Sequence, residues 1–115
     1  HALALAYHGR RLGIPVTVVM PLHAPLTKIS NCRAYGATVH LVGKDIAEAK
    51  AFGMALVEEK GYTYINGYDD PAIIAGAGTC GLEILEQVKD VDAIIVPVGG
   101  GGLIAGISLA VKKMK

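Results

Sequence analysis

The stretch Ala93-Ile94-Ile95-Val96-Pro97-Val98-Gly99-Gly100-Gly101-Gly102-Leu103-Ile104-Ala105-Gly106-Ile107 sets the reading of the whole chain. Its first six residues are continuously apolar and rich in β-branched side chains, the pattern of a strand covered on both faces. Four consecutive glycines follow. Beyond them Leu103, Ile104, Ile107, Ala110, Val111 and Met114 recur at three and four residues, which predicts a helix over 102–114. Lys112, Lys113 and Lys115 gather at its carboxyl end, where the helix dipole favours cations. A strand that turns directly into a helix is the repeating unit of a parallel α/β sheet.

The same alternation runs back to the start of the chain. Residues 16–20, 38–42 and 62–65 are short and β-branched or aromatic and read as strands, and each gap between strands is long enough for one helix. Asp45 with Glu48 makes a D-x-x-E start for a helix over 45–60, with Ile46, Ala49, Gly53, Leu56 and Val57 on one face and Gly61 as the stop. Asp70-Pro71 places an N-cap before a first-turn proline, and Ile74, Ala77, Leu82, Leu85 and Val88 continue the helical spacing to Lys89. Residues 2–12 and 26–35 are helical by the same reading, closed by Gly13 and Gly36. The predicted architecture is a three-layer αβα parallel sheet.

Composition removes several function classes. The chain has 115 residues, 52% hydrophobic and 18% charged, with 15 glycines, which excludes a disordered tail or an acidic scaffold. Eleven Lys+Arg against ten Asp+Glu leave a net charge of +1 without a basic stripe, so no nucleic-acid partner is expected. No membrane span is expected either, because the longest apolar run is broken by glycines and falls short of the ~20 residues a span needs. Cys32 and Cys80 have no CxxC spacing, which predicts reduced, buried thiols and a cytoplasmic setting rather than a disulfide or zinc framework. The chain opens on His1, directly in an amphipathic pattern, and reads as a cut through a longer polypeptide.

The chemistry concentrates at Gly99-Gly100-Gly101-Gly102. Between a strand and a helix, these backbone N–H groups and the helix amino end converge on one spot suited to a phosphate, and glycine lets the main chain approach an anion closely. A plain turn at a crowded corner is the alternative. Gly100-x-Gly102-x-x-Ala105 also matches a relaxed dinucleotide fingerprint, but the acidic ribose partner would lie beyond Lys115. Gly76-Ala77-Gly78-Thr79-Cys80-Gly81 matches G-x-G-x-x-G more literally, yet it follows a helix start. Its glycines are expected to pack that helix on the sheet. His8, His23 and His40 lack partners at metal-ligand spacing, Ser30 and Ser108 lack a nucleophile elbow, and Lys28, Lys44, Lys50, Lys60 and Lys89 fall on polar faces. Glu83 and Glu86 read as a solvated helix face.

The run Tyr68-Asp69-Asp70-Pro71-Ala72-Ile73-Ile74-Ala75-Gly76-Ala77-Gly78-Thr79, together with Val91-Asp92 and the stretch quoted first, resembles the threonine dehydratase and serine racemase family of fold type II pyridoxal-phosphate enzymes. The likeness extends through Gly13-Ile14-Pro15 and Val18-Val19-Met20-Pro21 to His1. It implies a small domain inserted into a larger one. Residues 1–67 would form most of the small domain and 68–115 part of the large, cofactor-binding one, with Tyr68-Asp69-Asp70 as the hinge. The resemblance assigns the phosphate of pyridoxal 5'-phosphate to Gly99, Gly100, Gly101, Gly102 and the amide of Leu103, and makes Tyr68 a further candidate contact.

The implied parent activity is a lyase acting on L-threonine or L-serine and releasing a 2-oxo acid and ammonia, from a homo-oligomer. A serine racemase and a non-catalytic dinucleotide- or phosphate-binding module are the alternatives. In the family the Schiff-base lysine precedes a Ser-Gly-Asn-His motif, of which this chain keeps only His1, and the metal ligands follow the glycine loop. No catalytic residue and no metal ligand is therefore expected within these residues. The 115-residue chain alone, given L-threonine and added pyridoxal phosphate, is expected to form no 2-oxo acid in a hydrazone assay. Measurable turnover would overturn that expectation.

Overall fold

Helix starts and stops follow the sequence punctuation closely. Asp45 sits in extended conformation ahead of α3 (Ile46–Lys60), and its side chain accepts a hydrogen bond from Glu48 N at 2.9 Å. Glu48 does not reach back to Asp45 N as a full capping box would; its Oε2 accepts from Lys44 N at 2.9 Å and its Oε1 lies 3.6 Å from Lys44 Nζ. Gly61 ends the helix at φ 67°. The computed structural model describes all of residues 1–115, which divide into two units, His1–Tyr64 and Ile65–Lys115.

The first unit runs α1 (Ala2–Leu12), β1 (Thr17–Met20), α2 (Leu26–Ala34), β2 (Thr38–Leu41) and α3. The two strands pair in parallel, with Thr17 opposite Thr38 and Met20 opposite Leu41. The bonding extends one residue at each end, where Thr38 N donates to Val16 O and Val42 N to Met20 O, both at 2.9 Å. Ala6 from α1, Val18 and Met20 from β1, Ile29 and Cys32 from α2, and Ala37 form the core. Burying side chains of the size of Val18, Met20 and Ile29 contributes about 1.5–3 kcal/mol each. On the other side of β1, Val19 faces Gly53 of α3, where a Cβ would lie 3.7 Å from Val19 Cγ2.

The second unit pairs α4 (Pro71–Gln87) with α5 (Gly102–Met114). Asp70 Oδ1 accepts from Ala72 N at 2.7 Å and Ile73 N at 3.4 Å, so the expected cap and first-turn proline both form. The helices touch through backbone. A Cβ on Gly78 would stand 3.1 Å from Gly106 O, one on Gly81 would stand 3.2 Å from Ile107 Cα, and one on Gly106 would run into Ile74 O and stand 2.6 Å from Gly78 N.

Four expectations need correction. Residues 62–65 and 93–98 join no ladder, since the sheet contains β1 and β2 only, and Ile95 is 99% exposed. An apolar run becomes a strand only when another backbone satisfies its N–H and C=O groups, and periodicity cannot supply that partner. Ile46, placed on the inner face of α3, is exposed, the buried residues of that helix being Ala49 and Leu56 further along it. Cys32 is buried as expected, but Cys80 is an exposed free thiol. The glycines of α4 pack on α5 rather than on the sheet, and only two of them do so, because Gly76 faces open space.

This difference gives opposite mutational signs on one helix pair. Gly76→Ala is expected to raise stability by about 0.5–1 kcal/mol through helix propensity. Gly106→Ala should lower it by about 1–3 kcal/mol, since backbone must separate from backbone. Thermal unfolding of the two variants checks the pair; equal shifts would refute the glycine contact.

Candidate functional site

The loop before α5 is built almost entirely of backbone. Gly101 is the N-cap of α5 in the left-handed region, at φ 92° and ψ −6°, and no side chain caps the helix. Ala105 N closes the first turn on Gly101 O at 3.0 Å, while the amides of residues 99–104 donate to no carbonyl and no side chain. An α-helix leaves its first amides without intrahelical partners and carries a partial positive charge at that end. The first turn of α5 holds no acidic residue, so nothing within the helix neutralises that charge.

A second segment of the same unit braces this loop. Asn66 Oδ1 accepts from both Tyr68 N and Asp69 N at 3.0 Å, an Asx turn that leads into the Asp70 cap of α4. The turn presents Tyr68 to the glycines. A Cβ on Gly100 would collide with the Tyr68 ring, 2.6 Å from Cδ2 and nearer still to Cγ and Cδ1. A Cβ on Gly102 would stand 2.7 Å from both Cα and O of Tyr68.

The four glycines therefore have distinct reasons. Gly100 and Gly102 have no room for a side chain because Tyr68 lies against them, whereas Gly101 is set by its positive φ. Gly99 meets nothing within 4 Å and has no unusual φ. Its lack of a side chain leaves open space beside the unpaired amides. A phosphate group, with several acceptor oxygens and negative charge, fits such an array of unobstructed donors at a helix amino end.

The sequence candidates separate cleanly around this geometry. Gly99 and Gly100 are exposed, Gly101 is half-buried, Gly102 is buried and Leu103 is 40% exposed at the start of the helix. Tyr68, 49% exposed, is brought to them by the turn. Asn66 was missed by the sequence reading, although the Asn66-Gly67 dipeptide is a recognisable turn signal. The G-x-G-x-x-G at 76–81 lies within α4, with Thr79 Oγ1 donating to Gly76 O at 2.6 Å, and forms no loop. His8 packs by the Tyr7 ring and His40 by Phe52, and no group of three or more His, Cys, Asp or Glu is placed to hold a metal ion. Lys50 and Lys60 lie over the rings of Tyr64 and Tyr62, and Lys112 and Lys113 stand at the far end of α5 from the loop. No helix is long and apolar enough to cross a membrane.

Comparison with known proteins gives one consistent result. The chain is 46% identical over 114 residues to an L-threonine ammonia-lyase of Thermotoga maritima, covering 99% of this chain and 28% of that protein. The processed form of threonine deaminase isoform 2 from Solanum lycopersicum superposes with a TM-score of 0.92 at 45% identity, over 99% of this chain and 31% of that one. Maize serine racemase superposes with a TM-score of 0.94 at 38% identity, over 99% and 35% of the respective chains. The chain thus spans about a third or less of the length of these relatives. The family profile described as "Pyridoxal-phosphate dependent enzyme" matches residues 1–115, and with an α/β fold and a glycine loop of this form the chain belongs to that family.

Proposed function

We propose that these residues form part of a pyridoxal-phosphate-dependent L-threonine ammonia-lyase, with the loop Gly99–Gly102 and the amide of Leu103 holding the cofactor phosphate. The observation that carries the reading is the row of unpartnered amides from Gly99 into the first turn of α5, free of obstructing side chains beside Gly99. The 46% identity to an L-threonine ammonia-lyase, against 38% to a serine racemase, favours the lyase over the racemase. In this reading residues 1–67 belong to a smaller domain and 68–115 to the cofactor-binding one.

The bound cofactor supplies an electron sink for loss of the amino-acid α-proton and β-hydroxyl, chemistry no side chain provides. This chain's contribution is binding and orientation. Main-chain N–H groups hold the phosphate without a titrating side chain, and the positive end of α5 adds a fixed field favouring its charge. The phosphate is then an anchor at one end of the cofactor, so the rigidity of the loop sets where the remainder lies. Tyr68, against Gly100 and Gly102, borders the same anchor.

Assay of the whole protein tests the reading. L-threonine should yield ammonia and a 2-oxo acid in equal amounts, and the bound cofactor's absorbance should change on borohydride reduction. A D-amino acid as the main product would replace the lyase by a racemase, and absence of cofactor absorbance would leave a non-catalytic module. Gly101→Val, which forces a β-branched residue to positive φ at a cost of roughly 1–2 kcal/mol, should weaken cofactor binding about tenfold or more in an equilibrium titration.

A further inference from the structure

We infer that Tyr68 is a positioning residue for the phosphate loop: its ring occupies the volume where a Gly100 side chain would stand and so fixes the path of the loop main chain, while Asn66 holds the Tyr68 backbone in its turn. The inference rests on the cofactor reading above and extends it to a side chain that sets the geometry of a backbone site. Three observations converge. The Tyr68 ring lies where a Gly100 Cβ would be, the Tyr68 backbone lies 2.7 Å from where a Gly102 Cβ would be, and both Tyr68 N and Asp69 N are tied to Asn66 Oδ1.

A loop of four glycines is the most entropically costly backbone to order, and its amides bond to nothing within the protein. Something other than its own hydrogen bonds must therefore define its path. Tyr68 is the side chain that touches it at Gly100, and a planar ring is well suited to lie along a glycine main chain. The Tyr68 atoms nearest a Gly100 Cβ are ring carbons, so the work falls to the ring rather than the hydroxyl. Its own backbone is restrained on both sides, by the Asx turn of Asn66 before it and the Asp70 cap after it.

The geometry separates two glycines that the sequence makes look alike. A methyl group at Gly100 collides with the ring of Tyr68, whereas one at Gly102 collides with the Tyr68 backbone. Removing the ring should therefore relieve the first clash and leave the second. The test is a set of double-variant comparisons in the whole protein, reading pyridoxal phosphate affinity by equilibrium titration, the 31P resonance of the bound phosphate, and thermal unfolding of the cofactor-free form.

Tyr68→Phe should bind the cofactor within about twofold of the parent, and Tyr68→Ala should bind about tenfold more weakly with a shifted 31P resonance. Gly100→Ala should cost about tenfold in the parent and about twofold or less in the Tyr68→Ala background, while Gly102→Ala costs the same in both. The proposal is overturned if Gly100→Ala costs the same in both backgrounds. It is also overturned if Tyr68→Phe loses as much affinity as Tyr68→Ala, or if Tyr68→Ala lowers the unfolding temperature but leaves affinity and 31P resonance unchanged. If the parent protein itself binds no pyridoxal phosphate, the cofactor reading fails instead, a result distinct from each of these.

Discussion

The second unit depends on one contact between backbones. Gly106 of α5 lies against Ile74 O and Gly78 of α4, and a side chain on Gly106 would force the helices apart. Because a helix is rigid over a few turns, this crossing also fixes the position of its amino end. Gly102 begins α5 only four residues before Gly106, so the placement of the loop against Tyr68 follows from the same contact. The glycines of the two helices serve distance, whereas those of the loop make room for Tyr68 at Gly100 and Gly102, turn the chain at Gly101 and leave space at Gly99.

That division explains how a site can be made with so little side-chain chemistry. The loop has no charged residue of its own; what it offers an anion is peptide dipoles and unpaired amides. Such donors do not titrate, so their strength is independent of pH. The corresponding demand is order, since a flexible loop would spread its amides over many directions. Asn66, Tyr68 and Asp70 supply order through two local hydrogen-bonded turns and one ring against the loop. In the first unit, similar means give a different result: Gly9 admits Val16 against α1, and the parallel pair β1 and β2 closes over Cys32 and Ile29.

The legibility of the chain follows the range of each interaction. Asp45, Gly61, Asp70, Pro71 and Gly13 act within one helical turn, and the helices they bound are found where those residues place them. Residues 93–98 show the limit, because their β-branched pattern states a preference for strand but not the neighbour that would complete it. The α4 glycines show another. Spacing announced a close approach, yet whether the sheet or α5 made it was a matter of how two helices cross.

The amino-acid sequence by itself determined the α/β class and the bounds of the helices, and it marked the glycine loop as the candidate anion site, because caps, periodicity and four adjacent glycines are local facts. Only the tertiary structure decided what each glycine is for. Gly100 and Gly102 make room for Tyr68, Gly101 turns the chain, Gly99 leaves space, and Gly78, Gly81 and Gly106 let two helices touch. A missing side chain acquires meaning only from what occupies the volume it leaves, and that occupant is distant in sequence.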